Sequence, residues 1–448
     1  MRDFTQGSIL KHLIYFAIPL MLSNMLQAVF QVVDAIWVGR LIGKDALAAV
    51  STSMPVMFLL ISLLIGMVVS TTILVGQSYG AKNYEFLSKV LSNSFMLCIT
   101  LTLTISAGGI IFSNSILRLI NVPENIRPDA QVFMNILLAG LVFSLITSWF
   151  MSVLNGVGNS KTPLKITFLI LGLNIVLAPL LIKGFWLIPE MGVGGSALAT
   201  VIANIAGTII YYFSFKHMQL FKNAKFYFKY NSEMIKKILV IGWPASLQMI
   251  IVSGSALLVV ALANKYGPTV TAAYGIGFRT DMFGSLAAFA MGNSVTSMTA
   301  QNIGAKKPER VSETLKYAVL FSCALSLLYA IIVNIFPAAI AGAFTKDAAI
   351  ITGTANYFKY AGWSYIGFAV MFSLLGVIRG AGDTLGALIM VGVNLLLFRI
   401  PLCYLLSEYT PLKQNGLWLG LTLAALVGAV LLYWYYKSGR WHNKQKVF

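Results

Sequence analysis

The chain has 448 residues, of which 58% are hydrophobic and only 10% charged, and a formal net charge of +18. That is too apolar for a soluble protein of this length. Apolar stretches of about 20 residues follow one another throughout, each long enough to cross a hydrocarbon core of roughly 30 Å. The runs are continuous rather than alternating with period two, which predicts helical spans and argues against a barrel.

The expected spans are 13–37, 46–75, 90–113, 131–154, 164–185, 192–214, 238–263, 269–298, 316–341, 357–378, 385–407 and 416–436. Twelve spans leave little chain for a soluble domain. The first apolar segment exceeds a signal-peptide core and carries no small-residue cleavage site, so it is expected to remain as a span. With the N-terminus on the cytoplasmic side, the loops of that side hold 21 of the 32 Lys and Arg and the opposite loops nine. Arg279 and Arg399 fall within spans. This positive-inside bias predicts a multi-pass plasma-membrane protein with both termini cytoplasmic, and it removes nucleic acid as the reason for the basic charge.

In the first span, Pro19 breaks the backbone hydrogen-bond ladder, and bending is expected there. A fixed kink and a hinge are both open readings. Further along the same span comes Asp34, an acid in an otherwise apolar helix. Gln27 lies two helical turns earlier on the same face, with Asn24 near that face, so a polar stripe is expected to meet a hydrated surface or another helix. A carboxylate in hydrocarbon is costly unless it is protonated, paired or wetted, and that cost suits it to taking up H⁺ or Na⁺. The bland alternative is a structural hydrogen bond to a neighbouring span.

After the second span comes Gly76-Gln77-Ser78-Tyr79-Gly80-Ala81-Lys82, which returns after the eighth as Ala300-Gln301-Asn302-Ile303-Gly304-Ala305-Lys306. Gly156-Val-Gly158-Asn159-Ser160 likewise returns as Gly380-Ala-Gly382-Asp383-Thr384, and Pro19 returns as Pro244 in the seventh span. The chain is therefore a doubled unit. Each half has an even number of spans, so the repeats must be parallel. The domains are expected at 1–215 and 238–448, two six-helix lobes joined by a connection at 216–237. That connection interleaves Phe221, Phe226, Phe228 and Tyr230 with lysines, which suits an anionic membrane interface. The glycines after spans two and eight are expected to make tight turns, and Asn159 and Asp383 to cap the helices that follow them.

Span eight carries Arg279 and Asp281. Residues two apart point to different helix faces, so direct pairing is not expected, though each could pair with another helix. Gly158-Asn159-Ser160-Lys161-Thr162 lacks the glycines of a phosphate loop, and nothing predicts a nucleotide. His12, His217 and His442 are far apart, and Cys98, Cys323 and Cys403 fall inside spans. No metal site, disulfide, cofactor or catalytic cluster is expected, and the protein is not read as an enzyme.

Taken together these residues resemble the multidrug and toxic compound extrusion (MATE) family across nearly the whole chain. The resemblance rests on Phe16-Ala17-Ile18-Pro19, Asp34 with Val38-Gly39, Gly76-Gln77 through Gly80-Ala81, Gly156-x-Gly158-Asn159, Asn174 through Pro179, Gly192-Val-x-Gly195, Gly380-Ala-Gly382-Asp383-Thr384 and Arg399-Ile400-Pro401. It implies two six-helix lobes around a cavity that opens alternately to either side, and export of cationic or amphipathic compounds in exchange for H⁺ or Na⁺. It implies a cation site of Asp34, Asn174 and Thr200, with Gln27 and Asn24 lining the substrate cavity. The family's second acid in the fifth span is replaced here by Ala178, and the acids that another branch carries in spans seven and ten are missing. H⁺ is slightly favoured over Na⁺. Action as a monomer among membrane lipids on small-molecule drugs is expected, with a flippase of lipid-linked precursors as the alternative.

Overall fold

The structure is a computed structural model describing residues 2–186, 189–218, 227 and 229–444. It consists of helices joined by turns. In the first half these are α1 (Ile9–Leu41), α2 (Lys44–Gly80), α3 (Tyr84–Leu119), α4 (Arg127–Gly156), α5 (Lys161–Lys183) and α6 (Gly192–His217), each answering to one expected span. The second half holds α7 (Ser232–Asn264), α8 (Pro268–Gly304), α9 (Pro308–Ile335), the short α10 (Pro337–Gly342), α11 (Ala348–Ala361), α12 (Ser364–Gly380), α13 (Thr384–Val393), α14 (Ile400–Glu408) and α15 (Gln414–Lys437). Among the described residues, ten helices are long and apolar enough to cross a membrane, and the bent pair α11 and α12 makes an eleventh. The remaining span-length helix is α8, which dilutes its apolar residues with glycines, hydroxyls, Arg279 and Asp281.

Two of the expected spans are not simple helices. The tenth is broken between α11 and α12, with a bend of 48°. Gly362, at the break, is crowded: a Cβ there would sit 2.5 Å from the Phe358 carbonyl oxygen. The eleventh passes through a π turn, Asn394–Arg399, between α13 and α14. Pro401 follows two residues after its end. Its missing N–H and its ring, which would press on the carbonyl four residues back, account for the widened turn.

Clustering of backbone contacts divides the chain into two compact units, Leu22–Ser246 and Arg2–Met21 with Leu247–Phe448. The changes of unit fall two residues past Pro19 and two past Pro244. Both prolines are buried, and α1 and α7 continue as helix through them. Within the first unit α4 packs on α2 along Gly156, where a Cβ would meet the Thr72 carbonyl oxygen at 2.9 Å. Within the second, α12 packs on α8 along Gly380, with the Thr296 carbonyl oxygen at 2.6 Å. The duplication thus repeats at the level of close helix approach. Part of the basic-aromatic connection at 216–237, residues 219–226 and 228 with Phe221, Phe226 and Phe228, lies outside the described residues.

The repeated turns differ from expectation in one respect. Gly80 and Gly304 end their helices in helical conformation, and the left-handed residue is the lysine two places on, Lys82 (φ 53°) and Lys306 (φ 57°). The caps are otherwise alike: Asn83 N–H donates to the Ser78 carbonyl at 3.0 Å, and Lys307 N–H to the Asn302 carbonyl at 2.8 Å. A side chain in that region costs roughly 1–2 kcal/mol. Lys306→Val is therefore expected to melt earlier than Lys306→Gly in detergent, because a β-branched residue tolerates positive φ worst; equal melting of the two would remove the strain argument.

After the Gly-x-Gly segments the expected caps form. Asn159 Oδ1 accepts from Thr162 N–H at 3.2 Å, and Asp383 Oδ1 from Gly386 N–H at 3.0 Å. Tyr435 O–H donates to the other oxygen of Asp383. Asp383→Ala is expected to cost about 0.5–2 kcal/mol, the usual worth of such a cap, read as a lowered melting temperature. Arg379, expected at a loop, ends α12 with its Nε buried, and its guanidinium donates to Gln248 Oε1.

Candidate cation site

In the first unit three helices converge on Asp34. From α1 comes Asp34 itself, only 5% exposed. Asn174 comes from α5 and is fully buried. Ser196 and Thr200, one turn apart and so on the same face, come from α6. Ser196 O–H donates to Asp34 Oδ1 at 2.6 Å. Asn174 Nδ2 donates to Thr200 Oγ1 at 3.2 Å, and Thr200 O–H to the Ser196 carbonyl at 3.3 Å. Asp34 and Asn174 are thereby connected through α6, with Ser196 and Thr200 as intermediaries.

The close approach of α5 and α6 is set by Gly195. A Cβ there would stand 2.4 Å from the Leu181 carbonyl oxygen and 2.8 Å from the Ile182 nitrogen, so any side chain would force the helices apart. Ala178, one turn after Asn174, packs with Leu181, Ile182 and Ala199 in an apolar cluster against which Trp37 and Leu41 of α1 also rest. Where an acid would give a second charge, this chain has hydrocarbon contact, and one carboxylate carries the site's charge.

Asn174 Oδ1 is buried and accepts no hydrogen bond from the described residues. Together with Asp34, Ser196 and Thr200 it makes a set of hard oxygen donors. Such a set suits a proton on the carboxylate or a small hard cation, and offers nothing to a soft metal. Of the other first-span residues singled out above, Asn24 is half-buried and Gln27 exposed, and neither bonds to Asp34. Ser196 was missed from the sequence; its one available signal is its position a turn before Thr200.

The second unit does not repeat the arrangement. The offset of 225 between Pro19 and Pro244 carries Asp34 onto Val259, which is buried in an apolar cluster. Its embedded acid comes instead from α8. Asp281 accepts from Tyr365 O–H at 2.5 Å and from Tyr357 O–H at its other oxygen. Arg279 is exposed and makes no ion pair with it.

Duplicated halves of membrane-spanning helices, each half built alike, with an oxygen-lined acidic site in one of them, define a multi-spanning helical transporter. The MatE family model matches residues 19–180 and again 244–405, two stretches that begin at Pro19 and Pro244, and the chain belongs to that family of MATE transporters. It is 33% identical over 445 residues to the probable multidrug resistance protein YoeA of Bacillus subtilis, covering 98% of this chain and 96% of that protein. Its fold matches a crystal structure of MATE in the straight conformation with a TM-score of 0.91 at 24% identity, covering 99% of both chains. It matches one in the bent conformation at 0.89 and 23% identity, covering 99% of this chain and 98% of the other.

Proposed function

We propose that this protein is a multidrug exporter of the plasma membrane that couples the outward movement of cationic or amphipathic small molecules to inward movement of H⁺ or Na⁺ by alternating access. The observation that carries the reading is Asp34, a nearly enclosed carboxylate on a membrane span, bonded by Ser196 and linked through Thr200 to Asn174. Relatives named as multidrug resistance proteins support the substrate class. With one carboxylate and several neutral oxygens, the proton is the favoured coupling ion.

A ligand shifts a conformational equilibrium only by its differential affinity for the two states. An acid that must be neutralised to stay out of water supplies such a difference, since one state can wet it and the other cannot. Occupation of Asp34 would act on α1, where the chain changes unit just past Pro19. The excess of Lys and Arg in alternate loops supports cytoplasmic termini. The reading is tested with purified protein in proteoliposomes under a pH gradient alone and then a Na⁺ gradient alone. Drug uptake driven by one of them is expected; no drug movement under either would sink the exporter reading.

A further inference from the structure

Asp281 lies outside the site described above, and its surroundings are built around it. On α8 it is flanked on one helix face by Gly277, four residues earlier, and Gly284, three later. A Cβ on Gly277 would stand 2.4 Å from the ring of Tyr357, and one on Gly284 2.5 Å from the ring of Tyr329 and 2.8 Å from that of Tyr365. The two glycines clear the space in which these three rings lie, and the hydroxyls of Tyr357 and Tyr365 end on the one carboxylate. Tyr357 and Tyr365 are each 1% exposed. Tyr357 also packs edge-on against Trp418 at 5.0 Å, and Tyr365 edge-on against Tyr329 at 5.1 Å.

The tyrosines sit on opposite sides of the break in the tenth span. Tyr357 belongs to α11 and Tyr365 to α12, and Gly362 and Trp363 separate the helices. At the joint Gly362 N–H donates to the Phe358 carbonyl at 2.9 Å and Ile366 N–H to the Trp363 carbonyl at 3.4 Å, so one turn of backbone bonding is loosened where the helices meet. We propose that Asp281 is a positioning residue which, through Tyr357 and Tyr365, holds the tenth span in its bent form, and that turnover of the transporter depends on this latch. Hydrogen bonds to a carboxylate are about twice as strong as neutral ones, and more so where water is excluded.

The proposal rests on the exporter reading for its effect on turnover, but the latch itself is tested without transport. Amide hydrogen exchange is followed by mass spectrometry across residues 356–367 in the full-length protein in nanodiscs, for the wild type and Tyr357→Phe, Tyr365→Phe, Asp281→Asn and Tyr329→Phe. Tyr329 touches the same cluster but donates to the Thr280 carbonyl, not to Asp281, so it reports general loss of packing. Exchange at the break is expected to rise at least about tenfold in Tyr357→Phe and Tyr365→Phe, with Tyr329→Phe close to wild type. Asp281→Asn combined with Tyr357→Phe should exchange no faster than the worse single variant, because residues sharing one network are not additive. In proteoliposomes the hydroxyl variants are expected to lower the maximal rate of drug transport and leave KM unchanged. Wild-type exchange in both hydroxyl variants, or a Tyr329→Phe effect as large as theirs, would overturn the latch. Absence of drug transport by the wild type would count against the exporter reading and leave the exchange result to stand by itself.

Discussion

Asp34→Asn is expected to abolish ion-driven export while leaving the protein folded. The amide is nearly isosteric, and its oxygen can still accept from Ser196 O–H, so the α1–α6 contact survives. What disappears is the charge whose neutralisation differs between conformations. Moving a two-state equilibrium from 1:99 to 99:1 takes about 5.5 kcal/mol of differential binding. An uncharged amide has no proton to exchange and a much weaker hold on a cation, so coupled transport should fall by more than about tenfold, the change produced by roughly 1.4 kcal/mol. Drug binding to the detergent-solubilised variant, measured alongside, should persist and lose its dependence on the coupling ion. Ser196→Ala is expected to be milder: the carboxylate stays, and one donor to it is removed at a cost of about 1–3 kcal/mol. Full export by Asp34→Asn at comparable expression, with its ion dependence intact, would show that coupling lies elsewhere.

Gly195→Val is expected to damage the first unit more than any surface change. The obstacle to a side chain there is the Leu181 and Ile182 backbone, which cannot rotate out of the way as a side chain could. Overpacking typically costs 1–3 kcal/mol and more where nothing yields, so a loss of about 3 kcal/mol is expected. Parting α5 from α6 would also break the 3.2 Å bond between Asn174 and Thr200. The measurement is the melting temperature in detergent by fluorescence-detected size exclusion, with Gly172→Ala as control. Gly172 lies in α5, the helix against which Gly195 packs, with nothing within 4 Å of its Cβ position, so alanine should stabilise it by up to about 1 kcal/mol. Similar behaviour of the two variants would mean that Gly195 does not set the approach.

Much of the architecture could be read along the chain because a membrane leaves it few choices. A helix satisfies its backbone locally, so each uninterrupted apolar run of sufficient length maps onto one helix, as α1 to α6 show. The exceptions arise where hydropathy is blind to geometry. Gly362 and Trp363 lie within an apolar run, yet the chain bends there, and Pro401 widens the turn before it rather than ending the span. The left-handed residues of the repeated turns are lysines, because the helix keeps its glycine and the next turn position falls two residues on.

Of the candidate sites, the sequence by itself determined that two acids are embedded, in which spans, and that the duplication does not repeat them. The cost of burying a carboxylate is a property of the residue and its apolar neighbours in the chain, and so it is visible there. The partners that meet that cost were decided by tertiary structure alone. Asp34 takes its hydroxyl from Ser196, 162 residues away, and Asp281 takes its two from Tyr357 and Tyr365, 76 and 84 residues away. A serine among many small residues and two tyrosines among many aromatics carry no local mark of such a role. It follows from which helix faces meet, and glycines such as Gly195 let particular pairs of helices approach.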